Sequence, residues 1–556
     1  MSGAKTFEVM AEAFVAEGVK THFALMGTAT MHWVTAMATR HGVRTVHARH
    51  EHCAVAMADG YHRATGEVGV ASVTSGPGFT QISTALTIAV RGSTPLVVFA
   101  GDAPTNTGYH IHEFDPGPLA VATGARFINV RHVDRVLDNV REAFWAAQYE
   151  RRPVVLNVPL DLQKQVYPHV PAYQPSREVL PTLQRPAPDP ELVEQAVDMI
   201  ANAERPIVIA GRGAARSGAK RALEELAETA GAFVATSLMA KGLFDDNPAS
   251  LGTAGAFAGD TAREIFADAD VVIGLGAALG HYTTEAGYLY PGAQVIHVDT
   301  QPRGLYQGLR IADLLIRADA AATAEAITAG LRKRGAKPSA QRTSEVMDRL
   351  EADFRLPDAK EFPARPNVVD PRKAMLEIDA AVPKDWDIIV GSGHFFSIAL
   401  SHMRNRPADR IHVINDFGAI GSALSSAIGI AAARGNGKVL LIEGDGSLMM
   451  HVQEMETVSR SGIKLAICTL NDGCYAAEAH KFRSEGRDPG QAVHGRFDYE
   501  GLGKAFGFDA TTVTELGGFA KLVTDYEKSD RSALWNVHID EEVPSKLFRR
   551  VWFGEL

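Results

Sequence analysis

Two short segments in the last third of the chain carry residues that could bind a divalent cation. Gly444-Asp445-Gly446-Ser447 follows one apolar run and Asn471-Asp472-Gly473 follows the next, so Asp445 and Asn471 are 26 residues apart. A carboxylate, an amide oxygen and a backbone carbonyl from the glycine turn form an all-oxygen set, which suits Mg²⁺ together with phosphate and water. The glycines let a diphosphate approach the backbone, and a helix after Ser447 would offer it free N–H groups. The spacing therefore predicts a site for Mg²⁺ and a diphosphate at Asp445, Gly446, Ser447, Asn471 and Gly473.

The elements that would position these residues are two strands joined by a helix. Residues 439–443 (VLLIE) and 464–470 (KLAICTL) are continuous apolar runs, which are typical of parallel strands buried on both faces. Residues 447–462 carry apolar side chains at helical spacing and are predicted as one helix. Ligands of parallel α/β sheets bind beyond the carboxyl ends of the strands, where Asp445 and Asn471 would be neighbours.

The same alternation of apolar runs and helical patterns recurs along the whole chain. Further strands are predicted at residues 70–74, 95–100, 206–210, 271–275, 294–299 and 388–390. Two proline-containing stretches, at about 168–190 and 333–371, interrupt the alternation, because proline continues neither a helix nor a central strand. The pattern predicts an α/β fold of three doubly wound domains with parallel sheets, at residues 1–167, 190–332 and 370–556.

Composition excludes several classes of protein. The chain has 556 residues with 56 Lys+Arg against 66 Asp+Glu, a net charge of −10, and no basic run that would bind nucleic acid. No apolar stretch reaches the ~18 residues of a membrane span, and residues 1–20 are predicted as an amphipathic helix, not a signal peptide. Cys53, Cys468 and Cys474 lack a zinc spacing and are predicted to be reduced thiols of a cytoplasmic protein.

Four motifs in order resemble the fingerprint of thiamine-diphosphate-dependent enzymes. Gly444-Asp445-Gly446, followed after 24 residues by Asn471, is similar to the family's diphosphate and Mg²⁺ motif. His50-Glu51-His52 resembles the segment with its catalytic glutamate, residues 74–78 (TSGPG) a turn of its pyrimidine-binding domain, and residues 418–421 (GAIG) the element that keeps the cofactor bent. Order and length are most similar to the acetohydroxyacid synthase, pyruvate oxidase and benzoylformate decarboxylase branch. The resemblance implies a pyrimidine-binding, a central Rossmann-like and a diphosphate-binding domain.

The resemblance also implies a role for each cofactor-binding residue. Glu51 would hydrogen-bond the aminopyrimidine ring and so favour the tautomer that removes the thiazolium proton, which needs a glutamate able to share a proton near neutral pH. Ile420 would lie beneath the cofactor as a wedge, and the backbone of Gly418 would contact the pyrimidine. Ser392 and Gly393 would contact the diphosphate from the side opposite Asp445.

Several further residues are candidates for catalysis or substrate contacts. His112 could protonate an intermediate or orient a substrate carboxylate, and His110 lies in the same loop. Glu478, seven residues after the metal asparagine, resembles a decarboxylase glutamate, although it is one residue further along. Thr28 and His394 are predicted to line the substrate cleft.

The central domain carries two near matches to a dinucleotide motif. Residues 211–216 (GRGAAR) and 274–279 (GLGAAL) both lack the third glycine, so a structural turn is the favoured interpretation. Members of the family bind a flavin or an adenine nucleotide here or leave the domain empty. FAD or ADP is therefore an open possibility that the sequence disfavours. In the family two chains form each site, which implies a homodimer at minimum and predicts a homotetramer.

The resemblance implies a thiamine-diphosphate- and Mg²⁺-dependent lyase or transferase. Its substrate would be a small 2-oxo acid or acyloin, in an acetolactate-synthase-like or a 2-oxoacid decarboxylase reaction. A 2-hydroxyacyl-CoA lyase and a C–C hydrolase of the same family remain alternatives, because these residues do not separate them. Outside the family, His47, His50, Glu51 and His52 suggest a metallohydrolase, although they lack the H-E-x-x-H spacing. A degenerate scaffold is a third alternative, against which an intact Glu51 argues.

Overall fold

Three parallel sheets organise the chain. The computed structural model describes residues 3–167, 172–181, 184–301 and 312–555. Each sheet has six strands, and every neighbouring pair of strands in them is parallel. The three α/β domains are confirmed, and each sheet lies inside one of the predicted ranges, whose exact boundaries stay a prediction.

The first sheet lies within the N-terminal range. Its strands are Thr21–Ala24 (β1), Arg44–His47 (β2), Gly69–Val73 (β3), Leu96–Asp102 (β4), Arg126–Asn129 (β5) and Pro153–Pro159 (β6). The accompanying helices are Thr6–Ala16 (α1), Met31–His41 (α2), Glu51–Thr65 (α3), Pro77–Thr80 (α4), Ser83–Arg91 (α5), Pro116–Thr123 (α6), Val136–Glu150 (α7), Leu160–Lys164 (α8) and Ser176–Val179 (α9).

The second sheet lies within the central range. Its strands are Pro206–Ala210 (β7), Phe233–Thr236 (β8), Ser250–Thr253 (β9), Val271–Leu275 (β10), Gln294–Val298 (β11) and Leu314–Ile316 (β12). The helices here are Pro190–Ala201 (α10), Arg212–Arg216 (α11), Lys220–Ala230 (α12), Asp260–Ala267 (α13), His281–Thr284 (α14), Ala320–Arg334 (α15) and, in the second linker, Ser344–Arg355 (α16).

The third sheet lies within the C-terminal range. Its strands are Asp387–Val390 (β13), Ile411–Val413 (β14), Val439–Gly444 (β15), Ala466–Asn471 (β16), Asp509–Val513 (β17) and Ala533–His538 (β18). The helices are Pro371–Ala381 (α17), His394–His402 (α18), Ala423–Arg434 (α19), Asp445–Met450 (α20), Glu454–Arg460 (α21), Ala476–Ser484 (α22), Tyr499–Ala505 (α23), Phe519–Lys528 (α24) and Lys546–Trp552 (α25).

The first and third sheets have the same strand order. These orders are β2-β1-β3-β4-β6-β5 and β14-β13-β15-β16-β18-β17, whereas the central order is β12-β11-β10-β7-β8-β9. Connections change direction between β1 and β3 in the first sheet and between β13 and β15 in the third. Such a point opens a crevice at the carboxyl ends of the strands. The fold therefore offers two equivalent crevices, one in each outer domain.

The apolar runs form strands because all of their side chains are buried. β15 and β16 are buried along their whole lengths, as continuous runs in a parallel sheet require. The predicted single helix at 447–462 is wrong, since two helices, α20 and α21, occupy this segment and α20 begins at Asp445. The break lies at His451, whose backbone leaves the helical region while its ring nitrogen Nδ1 bonds to the carbonyl of Gly421 at 2.8 Å.

Two helices from different domains pack against each other with their backbones in close approach. A Cβ built on Gly60 of α3 would lie 2.0 Å from the carbonyl oxygen of Ser426 in α19, and one on Gly429 would lie 1.9 Å from that of Met57. Only glycine fits at both positions, so the first and third domains join through this contact. All three cysteines are free and buried. Within the described residues, no helix is both long and apolar enough to cross a membrane.

Candidate active site

Asp445 lies at the crevice of the third sheet, at the start of α20. It is 2 % exposed, and its Oδ2 accepts a hydrogen bond of 2.9 Å from the N–H of Gly473, beyond the next strand. The hydroxyl of Tyr499 donates to its backbone oxygen at 2.5 Å. Burial raises the pKa of Asp445 to about 6. The predicted meeting of Asp445 with the end of the neighbouring strand is thus present.

Asn471 supplies an oxygen that lacks a partner. The side chain is fully buried at the end of β16, and its Nδ2 donates to Oδ1 of Asn536 at 3.0 Å. Its own Oδ1 is buried and makes no hydrogen bond within the described residues. A buried orphan acceptor is costly, and a cation is one way to satisfy it. The adjacent Asp472 has a pKa raised to about 8, first by burial and then by the negative charge of Asp445. These oxygens fit Mg²⁺, because a cation would relieve both the orphan oxygen and the repulsion.

Gly473 is less suited to its predicted role as a metal ligand. Its carbonyl oxygen accepts N–H groups from His494 at 2.9 Å and Gly495 at 2.8 Å. These two bonds occupy both lone pairs of the oxygen. The ligand role of Gly473 stays a prediction that requires this contact to open.

The residues predicted to hold a diphosphate line the same crevice. A Cβ on Gly446 would lie 2.8 Å from the Tyr475 ring, so this position requires glycine. The hydroxyl of Ser447 accepts the N–H of Gly421 at 2.8 Å and thereby joins α20 to the GAIG segment. On the other side, Ser392 donates to the carbonyl of Ile414 or to Oδ1 of Asn415, at 2.9 and 2.7 Å. Four glycines of this crevice have positive φ: Gly393, Gly418, Gly421 and Gly473.

Glu443 is a buried acid that sequence reasoning missed. It is fully buried directly before Gly444, and its Oε2 has no hydrogen-bond partner within the described residues. A Cβ on Gly391 would lie 2.2 Å from its Oε1, so that glycine makes room for the carboxyl group. Burial raises the pKa of Glu443 to about 8. The sequence did carry a signal for this residue, namely a single acid at the end of an apolar strand, directly before a glycine turn.

The predicted wedge lies on a turn that is fixed by ion pairs. Ile420 is half-buried, and Gly418 has φ +72°. The carboxylate of Asp416 binds Arg63 of α3 at 2.6 Å and also binds Arg212 of the central domain. All three domains therefore help to fix the segment that carries Ile420.

The first domain brings Glu51 to the crevice between β1 and β3. Glu51 is half-buried as the first residue of α3, whose N-terminus is capped by the ring of His50. A Cβ on Gly78 would lie 3.3 Å from Oε1 of Glu51. His112 covers the same turn, because a Cβ on Gly76 would lie 2.7 Å from its carbonyl oxygen.

The remaining substrate candidates of the first domain lie close by. Gly27, next to the exposed Thr28, packs so closely on Thr74 that a Cβ would lie 2.5 Å from its side chain. The ring of His110 accepts the N–H of His112 at 3.2 Å, so both histidines belong to one loop. Thr28, Glu51 and the His110 loop thus surround the turn at 74–78.

His394 is buried in the third domain, whereas Glu478 is exposed. His394 is 4 % exposed, its Nε2 accepts the N–H of Ser545 at 2.9 Å, and its ring packs on Phe548. Burial and the nearby His480 hold the pKa of His394 well below its usual range. Glu478 is exposed on α22, with Oε1 3.4 Å from Nζ of Lys481. Burial favours a core role for His394, and the catalytic role of Glu478 stays a prediction.

The two crevices are not joined through Glu51 within one chain. Among the described residues, no hydrogen bond or salt bridge connects Glu51 with the third domain. Its neighbours do make such contacts: the ring of His52 bonds Ser422 at 2.9 Å, and Glu454 accepts the N–H of Arg49 at 2.8 Å. Glu51 therefore faces its own domain's turn while the residues around it anchor α3.

The metallohydrolase alternative gains no support from the geometry. In the described part of the chain, one group of three potential ligands has its ligand atoms within 4.8 Å of one another. It consists of His50, Cys53 and His451, and it includes neither His47 nor Glu51. Nδ1 of His50 already accepts the N–H of His52 at 3.1 Å, which places the proton of the neutral ring on Nε2. The ring of His50 thus caps α3 and is not shown to bind a metal.

The two glycine motifs of the central domain pack against each other. A Cβ on Gly211 would lie 2.2 Å from the carbonyl oxygen of Gly276, and one on Gly213 would lie 2.8 Å from the Cα of Gly276. Their glycines are explained by this backbone contact between the ends of β7 and β10. Binding of FAD or ADP, which the sequence left open, also stays open here.

Comparison with known proteins identifies all three domains. Models of thiamine pyrophosphate enzymes match the N-terminal TPP binding domain at residues 4–117, the central domain at 193–327 and the C-terminal TPP binding domain at 391–537. The chain is 29% identical to the probable acetolactate synthase large subunit of Methanocaldococcus jannaschii over 485 residues, 84% of this chain and 80% of the relative.

Similar values hold for relatives from other organisms. Identity is 29% over 486 residues to the acetolactate synthase isozyme 3 large subunit of Escherichia coli, covering 85% of this chain and 82% of the relative. Identity is 28% over 483 residues to the chloroplastic acetolactate synthase 1 of Nicotiana tabacum, covering 84% of this chain and 70% of the relative. Three matched domains in order show that this chain belongs to the thiamine-pyrophosphate-dependent enzymes, and it is similar to acetolactate synthase large subunits.

Proposed function

We propose that the protein uses thiamine diphosphate and Mg²⁺ to join two small 2-oxo acids in an acetolactate-synthase-like carboligation. Its similarity to acetolactate synthase large subunits supports this reaction. The other family reactions, decarboxylation to an aldehyde, cleavage of a 2-hydroxyacyl-CoA and C–C hydrolysis, are separate outcomes of the test below. No contact among the described residues favours any of them.

One observation carries the cofactor assignment. The orphan Oδ1 of Asn471 lies at the end of β16, and the buried carboxylate of Asp445 lies at the end of the neighbouring strand. Oxygen ligands from two adjacent strands suit a hard cation that also binds phosphate oxygens. In this proposal Asp445 and Asn471 hold Mg²⁺, while Ser392, Gly393, Gly446 and Ser447 contact the diphosphate.

Residues of the first domain would assist transfer of the cofactor's thiazolium proton. When bound, the cofactor supplies a carbon acid whose anion adds to the 2-oxo group and then stabilises the negative charge left by bond cleavage. Glu51 would share a proton with the cofactor's pyrimidine ring and so assist removal of the proton from that carbon. Ile420 would support the bound cofactor from beneath, and His112 would orient or protonate the substrate.

Each site in this proposal is shared by two chains, in at least a homodimer and in a homotetramer as the full assembly. The crevices present exposed apolar side chains that a partner would cover: Met26 is 45 % exposed, Ile111 77 %, Tyr475 46 % and Phe497 52 %. Large exposed apolar side chains near a site are typical of protein interfaces. Light scattering of the purified protein measures the assembly directly, and a monomer that is active would contradict it. A cytoplasmic location is part of the same proposal.

A product screen tests the reaction. Purified protein with thiamine diphosphate and Mg²⁺ is given pyruvate, 2-oxobutyrate or glyoxylate, each alone and with an acceptor aldehyde or CoA. We expect acetohydroxy acids and carbon dioxide. Release of a free aldehyde would assign a decarboxylase. A 2-hydroxyacyl-CoA and a diketone are supplied separately, and turnover of only the first would assign a lyase, whereas turnover of only the second would assign a C–C hydrolase. Tight cofactor binding without turnover of any 2-oxo acid would contradict the reaction but not the cofactor assignment.

A further inference from the structure

The position of Glu51 depends on the short connection between β2 and α3, because Glu51 is the first residue of that helix. Helix α21 of the third domain lies against this connection and binds its backbone at two points. The guanidinium of Arg460 donates to the carbonyl of His47, the last residue of β2. The carboxylate of Glu454 accepts the N–H of Arg49, two residues before Glu51, at 2.8 Å. The third domain therefore holds the backbone that carries Glu51.

Glu454 makes this contact from the interior of the protein. It is 0 % exposed, and its Oε2 accepts the hydroxyl of Thr457 at 2.7 Å. The N–H of His50 and the thiol of Cys53 also donate to this carboxylate. Burial raises the pKa of Glu454, and the hydrogen bonds from Thr457, Arg49, Cys53 and His50 lower it in part. A buried carboxylate is costly unless it is well hydrogen-bonded, so these donors account for its presence here.

Two of these donors are backbone groups at the N-terminus of α3. The first N–H groups of a helix lack acceptors within the helix. The ring of His50 caps the helix from within the first domain by accepting the N–H of His52 at 3.1 Å. Glu454 accepts the preceding N–H groups, and its negative charge suits the positive end of the helix dipole. The start of α3 is thus capped by residues of two domains.

The segment that carries Glu454 also contacts the turn that carries Ile420. His451, three residues before Glu454, bonds through Nδ1 to the carbonyl of Gly421 at 2.8 Å. Its ring stacks on that of His52, with the two centroids 4.8 Å apart. This segment therefore touches both the N-terminus of α3 and the turn of the predicted wedge.

We propose that Glu454 is a positioning residue for Glu51. By holding the N–H groups ahead of α3, its carboxylate sets where the Glu51 side chain lies against the turn at residues 74–78. The inference rests on the proposed function, because the placement of Glu51 matters in this way only if Glu51 shares a proton with the cofactor. Proton sharing needs a group within hydrogen-bond reach. A displacement of about 1 Å can cost roughly a hundredfold in rate.

Glu456 provides a matched comparison on the same helix. Its carboxylate also binds Arg49, but through the side-chain Nε at 2.6 Å, and this pair is partly exposed to solvent. An exposed pair of this kind restrains a flexible side chain and contributes little to stability. Its removal should therefore leave the backbone before Glu51 in place.

The first experiment measures exchange of the thiazolium C2 proton in protein that is saturated with thiamine diphosphate and Mg²⁺. Glu454→Leu, which has a similar volume but no acceptor, should slow this exchange at least about tenfold at unchanged cofactor affinity. Glu454→Gln should slow it about threefold, because an amide oxygen offers two lone pairs to the donors that the carboxylate serves. Glu456→Gln should exchange like the wild type. Glu454→Gln also keeps the test decisive if Glu454→Leu does not fold.

The second experiment needs no cofactor. Amide hydrogen exchange, followed by mass spectrometry on a peptide that spans residues 48–53, should be faster in the Glu454 variants and unchanged in Glu456→Gln. Unchanged amide exchange in the Glu454 variants would overturn the proposal, as would faster amide exchange with wild-type C2 exchange. Glu51→Gln is measured alongside to separate two kinds of failure. If it too exchanges C2 at the wild-type rate, the role of Glu51 itself is wrong, and the positioning role of Glu454 with it.

Discussion

Gly60 and Ser426 approach each other so closely that a single methyl group on Gly60 would lie 2.0 Å from the Ser426 carbonyl oxygen. This contact joins the helix that begins with Glu51 to the helix that follows Ile420. Backbone packing therefore helps to fix the relative placement of the two crevices, together with the ion pair of Arg63 with Asp416.

Gly60→Ala should destabilise the protein by about 2–3 kcal/mol or more, because backbone atoms of α19 must move to admit the methyl group. Thermal or urea unfolding measures the loss. Gly292→Ala is the control, since nothing lies within 4 Å of a Cβ there and Gly292 has no positive φ. Equal stability of the two variants would contradict the close packing.

Glu51→Gln should slow exchange of the thiazolium C2 proton of the bound cofactor by roughly 10²–10⁴-fold, which is the usual contribution of general acid–base groups. Quenched-flow deuterium exchange with NMR detection measures it. Cofactor binding should persist, since Glu51 lies outside the diphosphate crevice. Unchanged exchange would remove the proposed role from Glu51.

Two inactive variants should complement each other if each site uses residues of two chains. Glu51→Gln and Asp445→Asn should each have almost no activity alone. After mixing under conditions that exchange subunits, a hybrid dimer contains one site with both residues intact, so activity should return. Each variant subjected alone to the same exchange is the control. Absence of recovery in a verified hybrid would indicate that one chain provides the whole site.

Stabilisation by Mg²⁺ and thiamine diphosphate should grow as the pH rises. The folded pKa of Asp445 is about 6, above its ordinary value of 3.8, so this group stabilises the cofactor-free protein at low pH and loses that contribution as the pH rises through 6. Mg²⁺ binds the ionised form and competes with the proton. The gain in Tm on adding cofactor should therefore be larger at pH 8 than at pH 5. Asp445→Asn should abolish the trend, and a gain that is independent of pH would contradict the ligand role.

Glu443→Gln should change the free energy of unfolding little near pH 4, where Glu443 is protonated in both the folded and the unfolded protein. The folded pKa of about 8 lies above the ordinary 4.5, so the wild type loses stability as the pH rises from about 4.5 to 8. The variant has no such proton to lose and should exceed the wild type by roughly 1–3 kcal/mol near pH 9. Urea titrations at both pH values measure this difference. A variant equally destabilised at both would instead indicate a packing role.

The sequence predicted the elements whose physics is local. Continuous apolar runs such as 206–210 and 271–275 coincide with β7 and β10, because strands buried on both faces need apolar side chains throughout. Asp445 and Asn471 were expected at strand ends from their spacing, and both lie there. Glu51 was expected from the family resemblance, and its role stays a prediction. Residues 447–462 were wrongly predicted as one continuous helix. The break at His451 accompanies a hydrogen bond between its ring and the carbonyl of Gly421, and a contact with so distant a residue leaves no local pattern in the sequence.

Residues whose role depends on distant partners could not be predicted. His394 follows a glycine turn, like many site residues, yet Ser545 and Phe548 enclose it. The carbonyl of Gly473 has the position of a ligand, yet His494 and Gly495 occupy it.

The close packing of α3 against α19 also has a consequence for folding while the chain is being synthesised. Domains generally fold as they leave the ribosome, the first one first, yet the face of α3 around Gly60 is covered by a helix made much later. Until α19 emerges, the newly made first domain carries an open apolar groove beside the helix that begins with Glu51. That groove is where a chaperone would bind the nascent protein, and where a truncated fragment would aggregate.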